Sequence, residues 1–128
     1  MKNKDIYSIA LSILAQNIDG EENSDFEERA PYILANFCRD LCELDKIARK
    51  LTNTPANTNF TAVRLSLESD FPLLDRFASA AAKYLAAMLV IDEDSELSDR
   101  LYDMYCETMA SIQSQLPSLL EKITDKYL

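Results

Sequence analysis

The sequence predicts an all-α fold. It should hold four to five helices in a compact bundle around a buried, Ala-rich central helix, with one irregular connector over 52–70. Three observations carry this expectation. Only one of the 128 residues is glycine. Apolar residues recur at three- and four-residue spacing over long stretches, the pattern of amphipathic helices. Four prolines, at 31, 55, 72 and 117, punctuate those stretches. At about 100–200 residues per domain, the length predicts one helical domain over 1–128. A chain of this size buries about two-thirds of the surface its unfolded form exposes, so its core needs no metal or disulfide staple.

The first helix is expected over about Asn3–Asn17, with Asn3 as N-cap and Asp5 in the first turn, where the helix dipole favours negative charge. Ile6, Ile9, Ala10, Ile13 and Leu14 form one apolar stripe. Gly20 lies past its end and suits a chain reversal. Ser24 and Glu27 then read as a capping box for a second helix reaching about Leu51. Its stripe is Phe26, Ala30, Ile33, Leu34, Phe37, Leu41, Leu44, Ala48 and Leu51. Pro31 sits too deep for a first-turn position and predicts a kink, or a break near Arg29.

Residues 52–60 are rich in Asn and Thr and read as a long loop. Val63 to Glu68 alternates apolar and polar, which suits a strand. A lone strand would need a partner from another subunit, and a short helix or an extended connector fits the same residues. Pro72 predicts the start of a third helix, entered through Ser69-Asp70-Phe71 and reaching about Ile91. From Phe77 to Ile91 only Ser79 and Lys83 are polar, so this helix should be buried on most sides. Asp94 or Ser95 should cap a fourth helix to about Gln115, with Leu97, Leu101, Met104, Tyr105, Thr108, Ile112 and Leu116 facing inward. Pro117 should interrupt it, leaving a tail over 117–128 that suits another short helix.

The composition excludes several function classes. One glycine cannot build a phosphate-cradling loop or a dinucleotide fingerprint. The absence of histidine removes Ser-His-Asp and Cys-His catalysis. Thirteen Lys and Arg against 22 Asp and Glu give a net charge of −9. That charge opposes both DNA binding through phosphate neutralisation and docking on anionic membranes. The longest apolar run, Tyr84–Ile91, falls far short of the roughly 20 residues a membrane span needs. Ser8 and Ser12 break the apolar character of Ile6–Ala15, which argues against a secretory signal peptide.

Cys38, Cys42 and Cys106 read as reduced, buried thiols, because the four-residue spacing of the first two suits neither a disulfide nor a redox pair. Acidic clusters occupy 19–28 and 92–99. A calcium loop starting at Asp92 would place Leu97 where glycine is required and Asp103 where glutamate is required. Acid-rich helix starts explain both clusters better. Asp75 and Asp103 are the carboxylates nearest to apolar stripes. No cofactor, metal site, catalytic residue or small-molecule substrate is expected. The six tyrosines border apolar stripes and suit core edges. Tyr127 is the exception: with Leu119, Leu120 and Ile123 it exceeds what a fraying tail needs, so these four are the candidate partner interface.

Several motifs stand together from the third helix onward: Phe71-Pro72-Leu73-Leu74, Ala80-Ala81-Ala82, Tyr84-Leu85-Ala86-Ala87, Asp92-Glu93, Leu97-Ser98-Asp99, Leu101-Tyr102 and Tyr105. Arg29-Ala30-Pro31-Tyr32 belongs to the same pattern. The chain resembles small helical head–tail connector (adaptor) proteins of tailed bacteriophages and prophages. The resemblance implies a homo-oligomeric ring joining portal to tail proteins, made in the host bacterial cytoplasm and carried into the virion, without catalysis. It further implies that the 52–68 segment and the 117–128 tail grip neighbours. The alternative reading is a cytoplasmic helical protein-interaction or regulatory module that takes a partner helix in an apolar groove. A carboxylate enzyme with a divalent metal is the third and weakest reading.

Overall fold

The apolar rows resolve into four α-helices in a computed structural model of the chain: α1 (Asn3–Ile13), α2 (Ser24–Leu51), α3 (Ala78–Leu89) and α4 (Ser95–Tyr127). Residues 1–15, 24–55 and 60–127 are described, with Ser24 and 117–127 by backbone alone. Among them there is no strand, and a 3₁₀ turn at Asp75–Phe77 leads into α3.

Helix α1 starts at Asn3 as its sequence suggests, but its cap lies one residue earlier than expected. Lys2 precedes it, and the Asp5 carboxylate accepts the Lys2 N–H at 2.9 Å. Asn3 is therefore no cap. It is fully buried, and its Nδ2 donates to the Ser66 carbonyl at 2.9 Å. The buried row is Ile6, Tyr7, Ala10 and Leu11, while Ile9 and Ile13 face solvent. Rotating the helix toward Tyr7 buries a larger ring than the expected stripe would. Ala15 adopts φ 57°, a left-handed conformation that ends the helix well short of Asn17. Gly20 lies outside the described residues.

Helix α2 passes through Pro31 without a break. The hydrogen bond lost to the proline belonged to the carbonyl of Glu27, an exposed residue where water is at hand. Phe26, Ala30, Leu34 and Phe37 are buried on both sides of the proline, so packing holds the two halves in one rod. Its C-terminus is a Schellman motif. Asn53 takes φ 55°, Thr54 N–H donates to the Arg49 carbonyl at 2.8 Å, and Asn53 N–H to the Lys50 carbonyl at 3.4 Å.

The alternating segment is an extended connector that finds its partners within its own chain. Leu65 N–H donates to the Pro31 carbonyl at 3.0 Å. Lys4 and Asn3 N–H groups donate to the Leu67 and Ser69 carbonyls, both at 2.9 Å, and Phe71 N–H to the Met1 carbonyl at 2.8 Å. A single antiparallel bridge, Lys2 with Asp70, is the full extent of β pairing among the described residues. Leu65 is buried, but Val63, two residues away on the same side of the alternation, is exposed, so the alternation does not mark one buried face.

Pro72 does not open α3. Leu74 is still extended, at φ −61° and ψ 148°, and its N–H donates to Asp45 Oδ1 at 2.8 Å. Helix α3 starts only at Ala78, and eight of its 12 residues are buried, five of them among Ala80, Ala81, Ala82, Ala86 and Ala87. It packs against α1, α2 and α4. Small side chains permit that close approach on several sides. Asp94 caps α4 by accepting the Leu97 N–H at 3.0 Å. Ser98, Leu101, Met109, Ile112 and Leu116 are buried along α4, whereas Met104 is exposed. Pro117 does not interrupt this helix. The carbonyl it leaves unpaired is that of Gln113, again an exposed residue, and good helix formers follow at Leu119–Lys122.

Candidate functional site

An open groove runs between α2 and α3. Its volume is about 570 Å³, and Glu28, Arg29, Tyr32, Ile33, Asn36, Tyr84, Met88 and Ile91 line it. Helix periodicity builds both walls. Tyr32, Ile33 and Asn36 fall on one side of α2, while Tyr84, Met88 and Ile91 follow at i, i+4 and i+7 along and just past α3. Tyr32 is 52% exposed and Ile91 47% exposed, so the groove leaves large apolar side chains facing water.

Polar groups fix the walls in place. Arg29 Nη2 donates to the Met88 carbonyl at 2.9 Å, and its Nη1 to the Leu89 carbonyl at 3.2 Å. The guanidinium thus satisfies the carbonyls at the end of α3 and complements its dipole. Nη1 also meets Asp25 at 3.3 Å. Asn36 Nδ2 donates to the Tyr84 hydroxyl at 3.0 Å. Among the described residues that line the groove Arg29 is the cation, its two terminal nitrogens are engaged, and Asp25 and Glu28 bring acid to the same stretch of α2.

Beside the groove lies an aromatic cluster. Tyr84 sits 5.6 Å from Phe37 and 5.2 Å from Tyr105, and Tyr105 sits 5.5 Å from Tyr102. These tilted arrangements are favourable ring contacts. Burial, with Tyr102 and Tyr84 nearby, pushes the Tyr105 phenol up to about 12, so the hydroxyl is neutral at physiological pH. The cluster brings the Tyr-Leu-Ala-Ala segment of α3 against Tyr105 of α4.

Asp45 is the buried carboxylate that sequence reasoning missed. Its side chain is 2% exposed and meets Arg49 Nε at 2.8 Å. The remaining Arg49 nitrogens donate to the Pro55 and Pro72 carbonyls at 3.1 and 3.2 Å. This cluster ties the connector's two ends to α2, with one bond on each carboxylate oxygen, from Arg49 Nε and from the Leu74 N–H. Its signal was present in the sequence: Asp45 falls in register with Leu41 and Ala48, and Arg49 follows at i+4. Asp75 and Asp103, in contrast, are exposed.

Cys38 is buried and Cys42 half-buried, but Cys106 is exposed, against the expectation of three buried thiols. Burial, then Asp45 and Cys42, pushes the Cys38 thiol up to about 12. Among the described residues no group of three or more Cys, Asp or Glu side chains could hold a metal ion. Among them, too, no helix is long and apolar enough to cross a membrane.

The predicted interface residues Leu119, Leu120, Ile123 and Tyr127 all fall on the last turns of α4, and their side chains lie outside the described residues. The groove residues Met88 and Ile91 were not singled out by sequence reasoning, and Tyr32 only as part of the Arg-Ala-Pro-Tyr motif. The available signal was an apolar row on α2 widened by the adjacent Tyr32. No family model, curated protein or solved structure matches the chain.

Proposed function

We propose that the chain is a non-catalytic assembly subunit: a head–tail connector of a tailed phage or prophage that joins portal to tail as a ring of identical copies. The observation that carries this reading is the mismatch between α4, with 33 residues, and α3, with 12. One helix outruns its partner and carries an apolar row, Leu119, Leu120, Ile123 and Tyr127, past the last described core residue, Leu116. In this reading the bundle is organised around α3 as a buried Ala-rich spine, which the burial of its alanines supports. The net charge of −9 suits a conduit that must let DNA slide past without holding it. The subunit would be made in the host cytoplasm and end in the virion.

A second reading, a helical interaction module that captures one partner helix without forming a ring, is favoured by the exposed α2–α3 groove. Negative-stain images and sizing of the full chain, alone and mixed with the portal protein of the same phage, separate the two. The connector reading expects rings or a portal-bound collar. Monomers under both conditions would overturn it.

A further inference from the structure

We infer that the α2–α3 groove receives the C-terminal arm of α4, residues 117–127, from a second copy of this chain, so that subunits join arm into groove. This inference rests on the assembly reading above and names the contact that would make the assembly.

Geometry assigns the arm to a neighbour. Ser98 Oγ donates to the Ala87 carbonyl, and Lys83 Nζ to Thr108 Oγ1, which sets α3 and α4 antiparallel. In that register α4 draws level with the start of α3 near residue 112, and the arm continues beyond it. The groove occupies the opposite half of α3, from Tyr84 to Ile91. At 1.5 Å per residue, a subunit's own Ile123 stands roughly 30 Å along the axis from its own Met88. The arm and groove of one chain lie toward opposite ends of the hairpin, the arrangement that makes a head-to-tail, ring- or filament-forming contact.

The two surfaces also match in spacing and charge. Leu119, Ile123 and Tyr127 recur at i, i+4 and i+8, a row of about 12 Å, against the about 10 Å from Tyr84 to Ile91 in the groove wall. A helix laid in an apolar groove anchors through such rows. Residues 117–128 carry Glu121 and Asp125 against Lys122 and Lys126, a net charge of zero. The other 116 residues therefore carry the whole −9, and copies of them repel one another. The neutral arm is the segment that approaches without that penalty. Lys122 and Lys126 each precede a member of the apolar row in sequence, while the groove is lined by Glu28 and has Asp25 paired with its Arg29.

The test uses two double variants of the full chain. Leu119→Asp with Ile123→Asp disables the arm, and Tyr32→Asp with Ile91→Asp disables the groove at two exposed positions. Circular dichroism checks that each stays as helical as the parent. In sedimentation velocity the parent should assemble, and each variant alone should run as a monomer of 14.5 kDa. An equimolar mixture retains one intact arm and one intact groove per pair. It should give a species of twice that mass and nothing larger. Parent-like assembly by either variant, or a mixture that stays monomeric, would overturn the arm-in-groove contact while leaving a ring built on other faces possible. A parent that never assembles overturns the contact outright, and the portal-binding images then decide the connector reading separately.

Discussion

Replacing Asp45 by alanine should cost the fold about 3 kcal/mol, the lower end of what breaking a buried ion pair costs. The carboxylate accepts two bonds at 2.8 Å, from Arg49 Nε and from the Leu74 backbone N–H. Removing it leaves that N–H without its acceptor and Arg49 without its counter-charge. Arg49 keeps its two carbonyl acceptors, and its side chain is 15% exposed, which places the loss at the low end of the range. Urea unfolding followed by far-ultraviolet dichroism measures the effect. With a slope of about 2 kcal/mol per molar, the midpoint should fall by about 1.5 M. The Asp45→Ala/Arg49→Ala double variant should lose less than the sum of the two single losses, because the groups act as one unit. A midpoint shift under about 0.5 M, or strict additivity, would refute the claim that this cluster fastens the connector to α2.

Two further perturbations act on single side chains. Ala15→Gly should stabilise the fold by about 0.5–1 kcal/mol, because alanine is held at a left-handed φ that glycine adopts without a Cβ clash; a melting temperature at or below that of the parent would contradict this. The Cys38 thiol is held neutral by burial, its value raised from 9.0 to about 12. Between those values the folded state keeps a proton that the unfolded state releases. The stability this thiol contributes should therefore be fully present below pH 9 and be lost progressively as the pH rises from 9 toward 12, and Cys38→Ser should flatten that alkaline limb in pH-dependent denaturation.

Much of the helical framework could be read from the chain, and the misreadings share a cause. The stretch from Phe77 to Ile91 is apolar nearly all round, and α3 falls inside it. Asp94 announced the start of α4 because a carboxylate three residues before Leu97 is placed to cap it. Pro31 and Pro117 misled because the local penalty, about 3 kcal/mol in a helix interior, is only one term. At Pro31 the buried neighbours on both sides outweigh it. The connector was illegible for a different reason. Its bonds to Met1, Asn3, Lys4 and Pro31 are mostly backbone to backbone, across more than 30 residues, and backbone groups leave no trace in side-chain spacing. The groove was equally hidden, since Tyr32 and Ile91 acquire meaning only when α2 and α3 lie side by side. Asp45 could have been found by asking why an acid shares the register of Leu41 and Ala48.

Arg49 reaches the carbonyls of Pro55 and Pro72 with one guanidinium, and Leu65 is fastened separately to Pro31. Between them Arg39 Nη1 donates to the Ala62 carbonyl at 2.7 Å and the Phe60 N–H to Cys42 Sγ at 3.4 Å, so the described part of the connector is moored to α2 at several points. The entropy of closing a loop grows only with the logarithm of its length, about 0.6 kcal/mol per doubling. With so many moorings on one side of α2, lengthening the connector should leave the helices in their places, since the anchors and not the loop length set where they sit.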